Sequence, residues 1–197
     1  MTTKPVQQQG RDADLLAAVA ERDRAAFEEL YLRYRNRLLG YLRRQLGDGD
    51  AAEEALEDTM FAVWTSAQRF DGRSRVSTWV FGIAHNKASK VRRARSRRPE
   101  EVPVSEELLP RPPEALRGSA LDELRWALGR ALDALSPEHR AVVELTYFHD
   151  RSYPEVAEIV GCPVNTVKTR MFHARRNLRP VLEELGFRAH SLEPSGG

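Results

Sequence analysis

The sequence has little of three things: cysteine, long apolar runs and net charge. Cys162 is the only cysteine among 197 residues, which excludes an internal disulfide and a zinc site built on several thiolates. The longest uninterrupted apolar run, Leu15 to Ala20, is far shorter than the roughly 20 residues that span a bilayer, and no basic-then-apolar leader precedes it. We therefore expect a cytoplasmic protein without membrane insertion.

The net charge is only +2, but the charged residues are segregated along the chain. Residues 45–68 contain six acids and no Lys or Arg, whereas residues 85–98 contain seven Lys or Arg and no acid. A second basic block, residues 163–182, also lacks acids. Any one block is equally consistent with a solvated helix surface, so its meaning depends on the element that carries it.

The apolar pattern predicts an all-α chain. Apolar residues between Phe27 and Leu42 recur at three- and four-residue spacing, and no alternating strand pattern of useful length is present. Gly47 to Gly49 should end this helix, with Asp50 as the cap of the next. A third helix should begin near Ser74. The remaining helices are predicted near residues 119–134, 137–149, 153–160 and 164–178.

A proline-rich segment divides the chain. Five of the eleven prolines and four glutamates lie between Pro99 and Pro113, a composition that disfavours helix and sheet. We expect two small helical domains joined by a flexible Pro/Glu-rich linker, with a disordered arm before them and a flexible tail after them. The predicted boundaries are arm 1–10, N-terminal domain 11–96, linker 97–117, C-terminal domain 118–185 and tail 186–197.

The strongest motif lies near the end of the C-terminal domain. Ser152 can cap a short helix whose inward residues are Val156, Ala157 and Val160, and a turn at residues 161–163 leads into a second helix. This is the layout of a DNA-binding helix-turn-helix. The alternative, an ordinary helical hairpin with a basic surface, explains neither an outward Phe nor the missing acids.

Helical projection of that second helix defines its outward surface. With Val167 at the centre of the buried side, the opposite side combines amide, cationic and aromatic groups, which suit base edges, phosphates and a thymine methyl in a major groove. The predicted DNA-binding residues are Asn165, Lys168, Thr169, Phe172, His173 and Arg176.

The third helix of the N-terminal domain carries another basic row. One aromatic, one amide and three cations lie along one flank, an arrangement that holds single-stranded DNA by stacking and by attraction to phosphates. Trp79, taken alone, also fits a core position. The predicted residues are Trp79, Asn86, Lys90, Arg93 and Arg97. Lys87 falls on the apolar arc, where its stem should be buried while its amine reaches solvent.

The second helix presents an acidic outer line with an aromatic residue in it: Glu54, Asp58 and Phe61, with Glu57 close by. Acids near a helix N-terminus favour the helix dipole, which accounts for Glu54 but not for Phe61. An apolar ring among carboxylates indicates docking to a basic protein surface.

The order of these motifs resembles that of bacterial RNA polymerase sigma factors, and within them the extracytoplasmic-function (ECF) group. The resemblance covers about residues 12–185. The motifs that carry it are Val63-Trp64, Arg69-Phe70-Asp71, Ile83-Ala84-His85-Asn86 after Trp79, Leu135-Ser136-Pro137 and Thr166-Val167-Lys168-Thr169-Arg170.

The resemblance implies three partners. The acidic helix would dock on the clamp coiled coil of the largest subunit of core RNA polymerase. The Trp79 to Arg97 helix would capture the minus-ten element of promoter DNA as a single strand, and the final helix would read the minus-thirty-five element as duplex. The family also implies an anti-sigma factor, although no residue identifies one.

Two other classes of function compete with this interpretation. A conventional helix-turn-helix regulator would use the C-terminal domain but leave the acidic surface and the basic row without a role. A small nucleic-acid enzyme is the weakest candidate, because the five histidines show no metal-ligand spacing and no convincing carboxylate pair accompanies them. We expect no enzymatic activity, no catalytic residue, no metal and no cofactor.

Overall fold

The protein is described by a computed structural model that covers residues 5–97 and 128–184. Within these ranges the chain is helical with no strand, which confirms the all-α prediction. In chain order the helices are α1 (Pro5–Ala20), α2 (Arg24–Leu46), α3 (Gly49–Ser66), α4 (Val76–Ser96), α5 (residues 128–133), α6 (Pro137–Tyr147), α7 (Tyr153–Val160) and α8 (Val164–Glu184). We call α1–α4 the N-terminal domain and α5–α8 the C-terminal domain.

Local signals set the ends of the helices in the N-terminal domain. Gly47 ends α2 at φ 68°, in the left-handed region that glycine adopts without strain. The cap of α3 is Asp48, whose side chain accepts a hydrogen bond from the Ala51 amide at 3.0 Å. The prediction of Asp50 as the cap was therefore wrong by two residues, since Asp50 already lies in the first turn.

Helix α1 was not predicted, and it begins inside the segment expected to be a disordered arm. Pro5 lies at its first helical position, where a missing amide hydrogen costs nothing. Asp12 fastens α1 to α2: the Tyr34 hydroxyl donates to Oδ2 at 2.6 Å, and Arg33 donates to Oδ1 at 3.0 Å. Burial and this carboxylate together raise the pKa of Tyr34.

The C-terminal domain follows its capping signals. Ser136 accepts a hydrogen bond from the His139 amide, with Pro137 at the first position of α6. Before α7, the Glu155 carboxylate accepts from the Ser152 amide at 3.0 Å. Gly161 ends α7 at φ 67°. Helix α8 runs beyond the predicted residue 178 to Glu184, through Pro180.

The two domains pack against each other, a contact that the sequence analysis did not predict. Helix α7 lies along α4, and α6 lies against the end of α2. Residues 98–127, which include all of the predicted linker except Arg97, fall outside the described residues, as do residues 1–4 and 185–197. In the described part of the chain, no helix has the length and hydrophobicity to cross a membrane.

Candidate nucleic-acid interface

Helix α8 presents the outward surface that projection predicts. Val167, Met171, Ala174 and Leu178 are buried, and this fixes the rotation of the helix. The residues predicted to contact DNA are all exposed: Asn165, Lys168, Thr169, Phe172, His173 and Arg176. Phe172 is 64% exposed, and its ring meets the His173 ring edge-on at 5.5 Å. The predicted residues of α8 therefore form one exposed surface.

One polar group on this surface is already engaged. The Thr169 hydroxyl donates to the Asn165 carbonyl at 3.0 Å, so it points back along the helix. Arg175, beside the predicted set, donates to the Tyr147 hydroxyl at 2.6 Å. Within the described residues Lys168 and Arg176 have no ion-pair partner, so their charges remain available to phosphates or bases.

The turn between α7 and α8 brings the two helices together as predicted, with one difference. Val156 and Ala157 are buried, but Ile159, not Val160, is the third residue of the inward side. Val160 is only partly buried and faces α4 instead. Cys162 is half-buried in the turn, with the Arg170 guanidinium 3.9 Å from its sulfur, which agrees with a packing role.

Helix α4 carries the predicted basic row on one side of a groove. Asn86, Lys90, Arg93 and Arg97 are exposed, and they line a cavity of about 570 Å³ together with His85, Ser89, Ala94 and Val160 of α7. Within the described residues the side chains of Lys90, Arg93 and Arg97 have no ion-pair partner. A groove with three free cations attracts a polyanion.

Trp79 lies at the start of this row and is partly buried. Its ring is 5.5 Å from the Phe70 ring, so it belongs to the edge of the core as well as to the row. The sequence left both interpretations open, and the structure combines them: one part of the ring packs inward while the rest stays accessible. A platform held in this way loses little side-chain entropy when a base stacks on it.

His85, the residue before Asn86 on α4, is buried. Its Nδ1 lies 2.7 Å from the Tyr41 hydroxyl oxygen, and burial followed by the charge of Arg92 lowers its pKa to about 4. The imidazole is therefore neutral at pH 7. His85 and Phe81 are both buried although they lie outside the apolar stripe predicted for α4, because other helices cover part of them.

The acidic surface of α3 is exposed, but it is less free than predicted. Phe61 is 67% exposed, and Glu54 and Glu57 are exposed without a described partner. Asp58, however, accepts a hydrogen bond from the Lys87 ammonium at 2.9 Å. The amine of Lys87 thus reaches the surface, as expected, and pairs there with an exposed carboxylate of α3.

Comparison with known proteins gives the same domain order. The family model "Sigma-70 region 2" matches residues 30–98, and "Sigma-70, region 4" matches residues 125–178. The ECF RNA polymerase sigma factor RpoE of Cereibacter sphaeroides is 34% identical over 171 residues, which cover 84% of this chain and 91% of the relative. The ECF RNA polymerase sigma factor SigK of Mycobacterium tuberculosis is 31% identical over 187 residues, which cover 93% of this chain and 99% of SigK.

A solved structure shares the fold. The sigma factor RpoE of Bartonella quintana, in complex with the anti-sigma factor NepR, superposes with a TM-score of 0.65 at 25% identity and covers 80% of this chain and 96% of its own. Two sigma-70 domains in one helical chain define a transcription initiation factor of RNA polymerase. More narrowly, this chain belongs to the ECF RNA polymerase sigma factors.

Proposed function

We propose that this sigma factor reads the two elements of its promoter by different physical means, with an N-terminal domain that includes α1 and ends at residue 96 and a C-terminal domain at residues 118–185. Helix α8 binds the minus-thirty-five element as duplex, and α4 binds the minus-ten element as a single strand. The acidic surface of α3 docks on the clamp coiled coil of the polymerase largest subunit. The observation that carries the proposal is that three chemically distinct surfaces are exposed on three separate helices.

The α8 surface supports duplex recognition through its mixture of groups. Asn165 and Arg176 offer the bidentate hydrogen bonds that discriminate bases in a major groove, and Phe172 offers an apolar contact to a thymine methyl. Lys168 adds a phosphate contact that orients the helix without reading sequence. A conventional duplex-binding regulator would need no more than this surface.

The α4 groove supports capture of a single strand. Lys90, Arg93 and Arg97 follow one another at three- and four-residue spacing, so their charges track a phosphate backbone along the helix. Trp79 supplies an aromatic platform at one end, and Asn86 supplies an amide for a base edge between platform and cations. A duplex regulator has no use for this combination.

The α3 surface supports docking to a basic protein surface. Glu54, Glu57 and Asp58 surround an exposed ring, and a mixed apolar and charged patch of this kind is typical of transient interfaces. The Lys87–Asp58 ion pair is exposed, so a cation of the partner can replace Lys87 at little cost.

An anti-sigma factor is proposed as a further partner on the likeness to the Bartonella RpoE, which was solved with NepR. A protein that represses transcription by this sigma factor in a purified system, and does not repress a primary sigma factor, would meet the definition. Repression of both would show general inhibition of the polymerase instead.

Transcription with purified core polymerase tests the assignment directly. Adding this protein to core enzyme on fragmented genomic DNA should start transcription at a discrete set of promoters, whose start sites can be mapped by sequencing. If the protein binds specific duplex sites but never starts transcription, the conventional helix-turn-helix regulator is correct and the proposal fails.

Asp58→Arg tests the docking surface. Reversing this charge should remove most of the affinity for core polymerase, because it places a cation against a basic partner, whereas binding to minus-thirty-five duplex should stay unchanged. Glu158→Arg makes the same charge change at an exposed position of α7 and should leave polymerase affinity unchanged. Equal affinity of wild type and Asp58→Arg for core polymerase would show that α3 does not dock there.

A further inference from the structure

The groove along α4 has a neutral polar floor beneath its cations. His85 and Ser89 line the same cavity as the basic row, and they lie one helical turn apart. His85 is only 9% exposed and Ser89 is half-buried, so both lie deeper than the exposed cations at the rim. Cations at the rim suit phosphates, whereas a neutral donor or acceptor on the floor suits the edge of a base.

One nitrogen of the His85 ring is engaged, and the other is open. Its Nδ1 lies 2.7 Å from the Tyr41 hydroxyl oxygen. Its Nε2 has no hydrogen-bond partner among the described residues, yet it is not one of the fully enclosed unpartnered atoms there, as both ring nitrogens of His149 are. Since His85 lines the cavity, Nε2 is the edge of the ring that the groove exposes.

The buried hydroxyl of Tyr41 decides which nitrogen of His85 carries the hydrogen. Tyr41 is fully buried, and burial raises the pKa of its hydroxyl, which therefore keeps its proton. If Nδ1 carried the ring hydrogen, the hydroxyl would accept it, and the hydroxyl's own hydrogen would be buried without an acceptor. The Tyr41 hydroxyl therefore donates to Nδ1. The imidazole is neutral, because burial lowers its pKa to about 4, so its single N–H is at Nε2.

We propose that His85 is a specificity-determining residue of the single-strand site, whose Nε2–H donates a hydrogen bond to an acceptor on the edge of a base that enters the groove. This inference deepens the proposed function and rests on it, because it concerns the strand site assigned to α4. The cavity of about 570 Å³ falls within the roughly 300–1,000 Å³ of sites that hold small organic molecules, so a base has room. A base without an acceptor there leaves the donor unpaired and binds more weakly.

A set of three variants separates the donor from the buried hydrogen bond that supports it. Tyr41→Phe/His85→Leu removes both partners of that bond, so no polar group is left buried without a partner and the fold should persist. Tyr41→Phe alone is the matched control: it loses the same bond but keeps the imidazole, whose hydrogen stays on Nε2 because an unpaired N–H is costly to bury. His85→Gln is the rescue variant, since its amide can accept from Tyr41 and donate into the groove. Circular dichroism and unfolding in urea check each protein.

Binding of a single strand to the holoenzyme measures the effect on recognition. The probe is a labelled strand that carries the minus-ten element of a mapped promoter, and fluorescence anisotropy gives its affinity for each variant assembled with core polymerase. One base at a time is replaced by the other natural bases, or by an analogue in which a ring nitrogen acceptor becomes CH. Arg93→Ala is a second control and should weaken binding of every strand alike, because a phosphate contact carries no sequence information.

We expect loss of the acceptor at one position of the strand to weaken binding about fivefold to tenfold in wild type, Tyr41→Phe and His85→Gln. In Tyr41→Phe/His85→Leu the penalty at that position alone should disappear. The inference is overturned if this double variant shows the same penalty as Tyr41→Phe at every position, or if it weakens all strands equally, because the imidazole then supports the fold and reads no base. If the wild-type holoenzyme binds no minus-ten strand, or Arg93→Ala binds every strand as well as wild type does, the assignment of α4 fails and the inference fails with it.

Discussion

Replacing Phe172 of α8 should weaken binding to DNA while leaving the stability of the fold nearly unchanged. Because the ring is 64% exposed, Phe172→Ala removes little packing, and the free energy of unfolding should change by no more than about 0.5 kcal/mol. The same ring should matter for DNA, because an apolar group on a recognition helix gains its contacts only in the groove.

The exposed fraction sets the size of the effect. A Phe offers about 200 Å² of surface for burial, so 64% exposure leaves about 130 Å² for DNA to cover. At about 25 cal/mol per Å² the ceiling is about 3 kcal/mol. Only one side of the ring can contact a thymine methyl, so we expect Phe172→Ala to lose about half of this binding free energy. That loss corresponds to a roughly tenfold weaker Kd.

Fluorescence anisotropy with a minus-thirty-five duplex, taken from a mapped promoter, measures this loss at several salt concentrations. Leu32→Ala is the matched control, since Leu32 is 65% exposed on α2, and its affinity for the duplex should equal that of wild type. An apolar contact involves no counterion, so the loss in Phe172→Ala should be the same at every salt concentration, whereas Lys168→Ala should reduce the salt slope by about 1. Unchanged affinity in Phe172→Ala, or a loss that disappears at high salt, would refute the apolar contact.

Three further predictions concern other parts of the molecule. Asp12→Ala should lower the free energy of unfolding, measured in urea, by about 3 kcal/mol, because it leaves the Tyr34 hydroxyl without its charged acceptor. The control Asp14→Ala, at an exposed position of α1, should change the free energy of unfolding little. Equal effects of the two variants would contradict the role of Asp12. Asn86→Ala should reduce permanganate reactivity of promoter thymines while duplex binding through α8 persists, and normal reactivity would remove Asn86 from the strand site. The third prediction is a pH dependence of the free energy of unfolding that appears only when one of two opposed groups is removed. Desolvation raises the pKa of Glu144 from 4.5 to about 7, so its protonation favours the folded state and this contribution is lost as pH rises through 7. Burial, with the nearby Arg37, Arg44 and Arg151, lowers the pKa of His149 from 6.5 to about 3, so its contribution is present above pH 6.5 and is lost as pH falls. The two slopes oppose each other between pH 4.5 and 6.5, so the stability of wild type in urea should vary little there. Glu144→Gln should lose stability on acidification and His149→Gln should lose it as pH rises, and the same flat profile in all three proteins would refute the assignment.

The surfaces of α8 and α3 were predictable because each belongs to a single helix. Once Val167 is recognised as buried, a rotation of 100° per residue places Phe172 and Arg176 outside, and the structure agrees. On α3 the same rotation per residue places Phe61 outside, where it is exposed. Caps that depend on one turn of chain, such as Ser136 and Ser152, were also readable from neighbouring residues.

Features that join distant segments were not predictable in this way. Helix α1 was missed because its first turns have no clear apolar period, and its attachment depends on Asp12 meeting Tyr34, 22 residues later. The amine of Lys87 reaches the surface as expected, but its pairing with Asp58 on the neighbouring helix could not be read from its own helix. In both cases the sequence around the residue was compatible with several contacts, and the residue that it contacts lies on another helix.

The sequence by itself determined the helices other than α1, the order of the two domains and the outward residues of α3 and α8, because helical periodicity is a property of consecutive residues. Only the tertiary structure decided that α7 lies on α4 and that Glu144 is buried against Arg44. That contact joins residues 100 positions apart, and its acid and base appear in the sequence as ordinary surface charges. The net charge of +2 is likewise uninformative by itself, because it is a sum over the whole chain. The fold decides which surface carries which charges.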